Sequence, residues 1–289
     1  MGGKHKLLPQ ILPLFPPNIR QLVDLFAGGC NVGINIPAEK VICNDNLIPL
    51  IDMYKVFQNK DLDTVIFYIE NRIKQFDLSL TNEAGYKKLR LLYNTDRNPL
   101  DLFVLIAFSF NHQIRFNNAQ EYNNPFGRER SSFNASMKSN LAHFIHRLKE
   151  IELEFTAKNF DEFDFSVLAE NDFVYCDPPY LISTGTYNDG KRGFTGWNET
   201  QERKLLGILD NLNENKLKFA LSNVLEHKGK SNDLLKNWLA KQPHLQVHYL
   251  EKDYANANYQ TLVRDKNASV EVLITNYKPK QSSQKLSLF

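Results

Sequence analysis

The residues with the clearest chemical capacity lie between Asp172 and Tyr180, DFVYCDPPY. Phe173 to Cys176 is an apolar run without a turn former, and Pro178-Pro179 ends any strand pairing directly after Asp177. The pattern predicts a buried strand stopping at a rigid corner. That corner presents a carboxylate (Asp177), an aromatic ring (Tyr180) and proline carbonyls. A carboxylate and a carbonyl can each accept a hydrogen bond from an exocyclic amino group, and a neighbouring ring can stack on a planar base. A bare D-P-P fragment equally describes a turn after a core strand, with a solvated Asp and a half-buried Tyr. Ligands of open α/β sheets bind at the carboxyl ends of the strands, so the surrounding elements must choose between the two.

Upstream, Gln21 to Phe26 is a short apolar run that breaks at Ala27-Gly28-Gly29-Cys30-Asn31-Val32-Gly33. A strand followed by a glycine-rich turn lets backbone approach a nucleotide-like ligand closely, although tight turns use glycine for steric reasons alone. A second strand, Lys40 to Cys43, ends at Asn44-Asp45-Asn46 and leads into a helix from Leu47 to about Phe57. Asp45 follows the first strand by about 20 residues, which suits acceptance of hydrogen bonds from ribose hydroxyls. Asn44 or Asp45 could equally cap that helix.

The remaining elements are scaffold and a polar loop. A helix is expected from Lys6 to about Leu14, helical pattern from Asp61 to Tyr93 with Val65, Ile66, Ile69, Ile73 and Phe76 on one face, and an apolar helix from Pro99 to about Phe110. Gln113 to Phe126 reads as an exposed hairpin or long loop in which amides, aromatics and arginines interleave, a composition suited to base edges and phosphates and also to any polar surface. A helix from Ala135 to Arg147 follows, then strands Glu152–Thr156, Phe173–Cys176 and Lys218–Asn223, with a helix from about Thr200 to Asn211 between the last two. A polar, glycine-bearing loop runs from Ile182 to Trp197, and Gln246–Leu250 and Ser269–Thr275 read as two antiparallel strands joined by a long loop.

Composition bounds the rest. The 289 residues are 42% hydrophobic and 24% charged, as in a folded globular chain with room for more than one core. The longest apolar runs fall short of the roughly 20 residues that span a bilayer, and the N-terminus does not read as a signal peptide, so a cytoplasmic protein is expected. Cys30, Cys43 and Cys176 lie in or beside apolar runs and read as reduced buried thiols, with no structural metal. Net charge is only +2, but Arg115, Arg128, Arg130, Lys138, Arg147 and Lys149 outnumber the acids between His112 and Lys149. That describes either a phosphate-facing patch or a solvated basic face.

Taken in order, these pieces resemble the Dam-like, D12-type (alpha-group) family of DNA adenine-N6 methyltransferases, over nearly the whole chain. Gly2-Gly3-Lys4 with Leu7-Leu8 resembles the family's N-terminal cofactor motif, Asp24 to Gly29 its glycine loop, and Asn44-Asp45 its ribose-binding acid. Phe110-Asn111 through Arg115-Phe116-Asn117 to Asn123-Asn124-Pro125-Phe126-Gly127 is similar to its DNA-reading hairpin, Asp177-Pro178-Pro179-Tyr180 to its catalytic motif, and Leu221-Ser222-Asn223 to a strand end beside the target pocket. There are departures. The chain starts at the Gly-Gly-Lys, Cys30 stands where a glycine is common, and Asn159-Phe160 replaces an Asp-Phe that contacts the cofactor adenine.

The resemblance implies an α/β, Rossmann-like S-adenosylmethionine-dependent methyltransferase sheet, mostly parallel with an antiparallel C-terminal hairpin at one edge. Residues 1–55 and 150–289 would form the catalytic domain, and 56–149 an inserted, mainly helical target-recognition domain carrying the hairpin. It implies methyl transfer from S-adenosylmethionine to a flipped-out adenine of double-stranded DNA in a short motif, GATC being one candidate. Asp177, Pro178 and Tyr180 would be catalytic. Lys4, Asp24, Phe26, Gly28, Asp45, Asn159, Phe160 and Asp177 would hold the cofactor, and Asn111, Gln113, Arg115, Asn117, Asn124, Pro125, Arg128, Arg130 and Lys138 the DNA. A restriction endonuclease acting on the same site without a stable complex would be the partner, unless the protein is an orphan or phage methylase. Three other readings stay open: a cytosine-N4 or RNA methyltransferase on this fold, a dinucleotide-dependent oxidoreductase, which would leave the DPPY corner unused, and a DNA-binding protein without activity.

Overall fold

The structure, a computed structural model, describes residues 4–182, 196–251 and 269–279. Its frame is an eight-stranded sheet of β1 (Ile19–Asp24), β2 (Ala38–Asn44), β3 (Glu152–Thr156), β4 (Phe173–Cys176), β5 (Lys218–His227), β6 (Lys230–Ser231), β7 (Gln246–Leu250) and β8 (Ser269–Thr275). The order is β3-β2-β1-β4-β5-β8-β7, with β6 paired to β5. β3, β2, β1, β4 and β5 are parallel, while β8 and β7 are antiparallel at the edge. This is a Rossmann-like arrangement, as the sequence leads one to expect.

Strand period 2 divides the apolar residues between two cores. Leu22, Val41, Cys43, Phe173 and Tyr175 face one side. Val23, Leu25, Ile42, Val174, Cys176, Phe219 and Leu221 face the other. β4 is buried along its whole length because both faces are covered, which is why FVYC reads as an unbroken apolar run.

Helices supply the covers: α1 (Leu8–Ile11), α2 (Ile48–Asn59), α3 (Leu62–Gln75), α4 (Glu83–Asp96), α5 (Pro99–Phe108), α6 (Ala135–Glu150), α7 (Glu199–Glu214) and α8 (Asp233–Ala240). The first core runs from Leu22 and Val41 through Leu50 and Ile51 of α2 into Val65, Tyr86 and Leu102 of the helices that lie between β2 and β3 in sequence. α7 and α8 close the other side with Leu205, Leu209 and Leu235. Helices α3 to α8 each begin at an Asp or Asn whose side chain accepts from a first-turn N–H, satisfying a donor that the helix cannot.

Several boundaries differ from the sequence pattern. The expected first helix is three short turns over residues 4–14, because Pro9 and Pro13 each fit only a first turn. The helical stretch 61–93 divides at Asp77, whose φ of 49° is left-handed, and restarts at the Asn82 cap. β5 extends to His227 and is followed by α8, an element the sequence pattern did not suggest. The loop 113–126 is pinned by isolated bridges Ser109↔Phe126 and Phe116↔Tyr122 and is not simply exposed, since Phe116, Tyr122 and Asn124 are buried. All three cysteines are buried free thiols.

Candidate active site

Strand order reverses between β1 and β4, and at such a switch point the loops leaving neighbouring strands diverge and open a crevice. The glycine turn leaves β1 here and the DPPY corner leaves β4, with Asp24 in register with Tyr175. Gly28 adopts φ 48°, a left-handed conformation that costs a glycine nothing. Its N–H donates to Asp45 Oδ2 (3.0 Å) and its carbonyl accepts from the Tyr54 hydroxyl (2.8 Å), so α2 and the end of β2 fix the turn. Gly33 has a different reason. A Cβ there would lie 2.6 Å from Cys43 Sγ and 3.3 Å from Asp24 Oδ2. Cys30 is left-handed at φ 55° and fully buried.

Asp24 is 1% exposed. One oxygen accepts from the Gly33 N–H (3.0 Å), and Oδ1 is buried without a hydrogen-bond partner. Burial pushes its carboxyl up to about 8, with Asp177 and Asp45 adding to the rise and the Gly33 bond opposing it. Such a group at a glycine turn is suited to receive a cationic donor. Asp45 accepts from the N–H groups of both Gly28 and Leu47, which ties the glycine turn to the approach of α2; neither it nor Asn44 is the helix cap, since the cap position is Leu47 and has no side-chain bond, and burial raises the Asp45 pKa against its two bonds. Asn44 joins three loops, donating to the carbonyls of Leu25 and Lys158 and accepting from Thr156 and Lys158.

Beyond the turn, Phe26, Phe160 and Trp197 meet with ring centroids 5.3 to 5.6 Å apart. Trp197 Nε1 donates to the buried Glu202 (2.7 Å), which also accepts from Asn223 (3.0 Å). Asn159, at the start of the turn carrying Phe160, forms a capping box with Glu162 and accepts from Asn46 (3.3 Å).

At the other side of the crevice Asp177 is half-buried and Pro178 buried. Asp177 Oδ1 accepts from the Tyr180 hydroxyl (3.1 Å) and lies 3.2 Å from Lys4 Nζ. Lys4 therefore comes to the DPPY corner. Its ammonium also bonds Tyr180 and sits 2.7 Å from Glu271 on β8. Burial raises the Asp177 pKa, and Lys4 and the Tyr180 bond pull against it. For Lys4, burial acts to lower the pKa, and the two carboxylates outweigh it and hold the ammonium above 10.5. Sequence reading did not single out Glu271. The signal was an acid inside the apolar run SVEVLIT.

The hairpin residues divide by what they touch. Asn124 donates to the carbonyls of Phe110 (3.1 Å) and Gln113 (2.9 Å), and Asn117 closes the loop tip by bonding Glu121 twice (both 2.9 Å). Arg128 and Lys138 pair with Glu83 (2.8 Å) and Glu70 (2.6 Å). Arg130 stacks over the exposed Phe110 ring (5.0 Å) and bonds Asn111, while Pro125 is exposed and Gln113 half-buried beside them. Arg115 Nε is buried without a partner.

Comparisons with known proteins fit this geometry. The family model described as D12 class N6 adenine-specific DNA methyltransferase matches residues 1–281. The modification methylase StsI of Streptococcus sanguinis is 52% identical over 280 residues, 97% of this chain, and the type II methyltransferase M.FokI of Planomicrobium okeanokoites is 52% identical over 277 residues, 96% of the chain. The chain spans only 42% of the length of each. A DNA adenine methylase of Salmonella typhi is 28% identical over 227 residues, 77% of this chain and 78% of that protein.

Proposed function

This chain belongs to the D12 class N6 adenine-specific DNA methyltransferase family, and from that premise we propose that it methylates the N6 amino group of an adenine turned out of double-stranded DNA, with S-adenosylmethionine as methyl donor. One observation carries the reading: Asp177 has Oδ1 tied to Tyr180 and Lys4, while none of the described residues bonds Oδ2, at a corner where Pro178 offers a carbonyl in place of an N–H.

An adenine amino nitrogen is a poor nucleophile because its lone pair is delocalised into the ring. Asp177 Oδ2 and the Pro178 carbonyl accept its two hydrogens, which favours a tetrahedral nitrogen with its lone pair directed away from both acceptors. A half-buried setting strengthens these bonds. Since N6 lies inside the duplex stack, the base must leave it, and the Tyr180 ring, fixed through its hydroxyl, offers a stacking face.

S-adenosylmethionine supplies an electrophilic methyl group on a sulfonium when bound. The residues fit that group. The orphaned Asp24 Oδ1 is placed for the donor's ammonium, the Gly28 turn lets backbone come close, Asp45 lies at the tip of β2 where ribose hydroxyls would bond, and the Phe26–Phe160 pair gives a flat ring an apolar surface. Lys4 acts at the catalytic corner in this reading and Asn159 orients Phe160.

Residues 56–149 would serve as the target-recognition part, grafted on residues 1–55 and 150–289. Asn111, Gln113, Arg115, Pro125 and Arg130 are candidates to meet DNA, Arg128 and Lys138 would track phosphates by exchanging their carboxylate partners, and Asn117 and Asn124 shape the loop from within. A restriction endonuclease sharing the site without a stable complex, in the compartment that holds the DNA, completes the proposal.

The test is methylation mapping at single-base resolution of DNA from a methylation-free host that expresses the protein, with Asp177→Ala beside it. N6-methyladenine at one short motif, lost in the variant, is the expected result. Methylated cytosine in its place, or no methylated DNA base from a folded protein, would refute the adenine reading.

A further inference from the structure

Glu271 is a charge in the middle of a buried strand. It pairs in register with Val224 of β5 and Leu250 of β7, and it is 2% exposed. A carboxylate so placed costs several kcal/mol unless other groups compensate it. Lys4 Nζ at 2.7 Å and the Tyr180 hydroxyl at 3.1 Å contribute to that compensation. Both of these groups also face Asp177, Lys4 at 3.2 Å and Tyr180 at 3.1 Å. One ammonium thus stands between two carboxylates and leans toward the one that lies deeper in the sheet.

We propose that Glu271 is a positioning residue for methyl transfer: by holding Lys4 it keeps the ammonium from closing onto Asp177, so that Asp177 remains a strong acceptor for the adenine amino group. This rests on the reading of Asp177 given above.

The physical argument is one of charge sharing. A carboxylate in a close pair with an ammonium has its lone pairs engaged and its basicity lowered, and is a weaker acceptor for a neutral N–H. A second carboxylate on the same ammonium reverses part of that effect. Among the described residues, the groups facing Asp177 are Lys4 from the N-terminal turn, Tyr180 from its own corner, Glu271 from β8, Tyr175 from β4 and Asp24 from β1. Among these, Lys4 is the one cation, and Glu271 is the anion that touches it besides Asp177. Removing the Glu271 charge leaves Asp177 as the carboxylate that Lys4 pairs with among the described residues and lowers the pH at which Asp177 ionises.

The experiment compares the wild-type chain with Glu271→Gln, an isosteric change, in methylation of a duplex oligonucleotide carrying the mapped motif, between about pH 5 and pH 9. The expected result is a kcat reduced severalfold, since the rate follows only part of the change in acceptor basicity. The acid limb of the profile should move to lower pH, with little change in the KM for DNA. A Lys4→Gln, Glu271→Gln double variant should exceed Glu271→Gln alone, because Lys4 is the one cation paired with Asp177 among the described residues. A Glu271→Gln protein with wild-type kcat and profile overturns the proposal. So does a reduced kcat with an unmoved acid limb and no recovery in the double variant, which would mark Glu271 as structural. Should Glu271→Gln fail to fold, Glu271→Asp keeps the charge and is expected to keep the wild-type acid limb; a shifted limb overturns the proposal. Methylation absent from the wild type as well refutes the methyl-transfer reading itself, an outcome distinct from active wild type beside an unaltered variant.

Discussion

Replacing Asp24 by asparagine tests the electrostatics of the glycine turn without any ligand. The folded chain holds the Asp24 proton up to about pH 8, whereas the unfolded chain releases it near the ordinary 3.8. Between those values the folded state binds more protons than the unfolded one, so stability falls as pH rises. The slope due to this group is about 1.4 kcal/mol per pH unit. Below the window both states are protonated, and above it both are ionised. Across the whole window the loss is on the order of 6 kcal/mol, with no discount for solvent screening because the side chain is buried. In the Asp24→Asn variant the side chain has no proton to release, and its amide oxygen can keep the acceptor role toward the Gly33 N–H. Wild-type stability minus that of Asp24→Asn should therefore drop by about 3 kcal/mol between about pH 5.5 and about pH 7.5. Urea unfolding of both proteins at fixed ionic strength, followed by circular dichroism, measures it. A difference that does not change with pH would refute the claim that burial holds Asp24 protonated.

Two further outcomes test the hairpin. Arg115→Ala should weaken DNA binding across sequences and reduce the slope of log K against log salt by about one, while Lys138→Ala, already paired with Glu70, changes it by less; equal slopes for the wild type and Arg115→Ala would rule out a phosphate contact. Asn124→Ala strips partners from two carbonyls in a buried setting, so urea melts should show a loss of about 2 to 4 kcal/mol, and a loss well under 1 kcal/mol would mean that the loop is held otherwise.

Strand positions in this protein were legible because they are local. Glu152–Thr156, Phe173–Cys176, Gln246–Leu250 and Ser269–Thr275 agree with their sequence-based bounds to the residue. A short apolar run between turn formers has few alternatives, and Pro178-Pro179 fixes where β4 must stop. The glycine turn and the Asn44-Asp45 strand end were legible for the same reason. α8 escaped notice because it is eight residues long and buries little besides Leu235. The sequence alone also led to the family, through the order of its motifs.

Which groups meet was decided by tertiary structure. Lys4 and Glu271 are separated by 267 positions and touch only because β8 enters the sheet antiparallel beside β5, within reach of the N-terminal turn. No periodicity encodes that contact. The amides of the hairpin show the same limit. Asn117, Asn124 and Asn111 have identical donors and acceptors, yet the first two satisfy the loop's own backbone and carboxylate while Asn111 stays at the surface beside Arg130. Residue type fixes what a side chain can bond. Only the folded chain determines which partner lies within 3 Å, and so whether a carboxylate such as Asp24 or Asp177 is solvated or withdrawn from water.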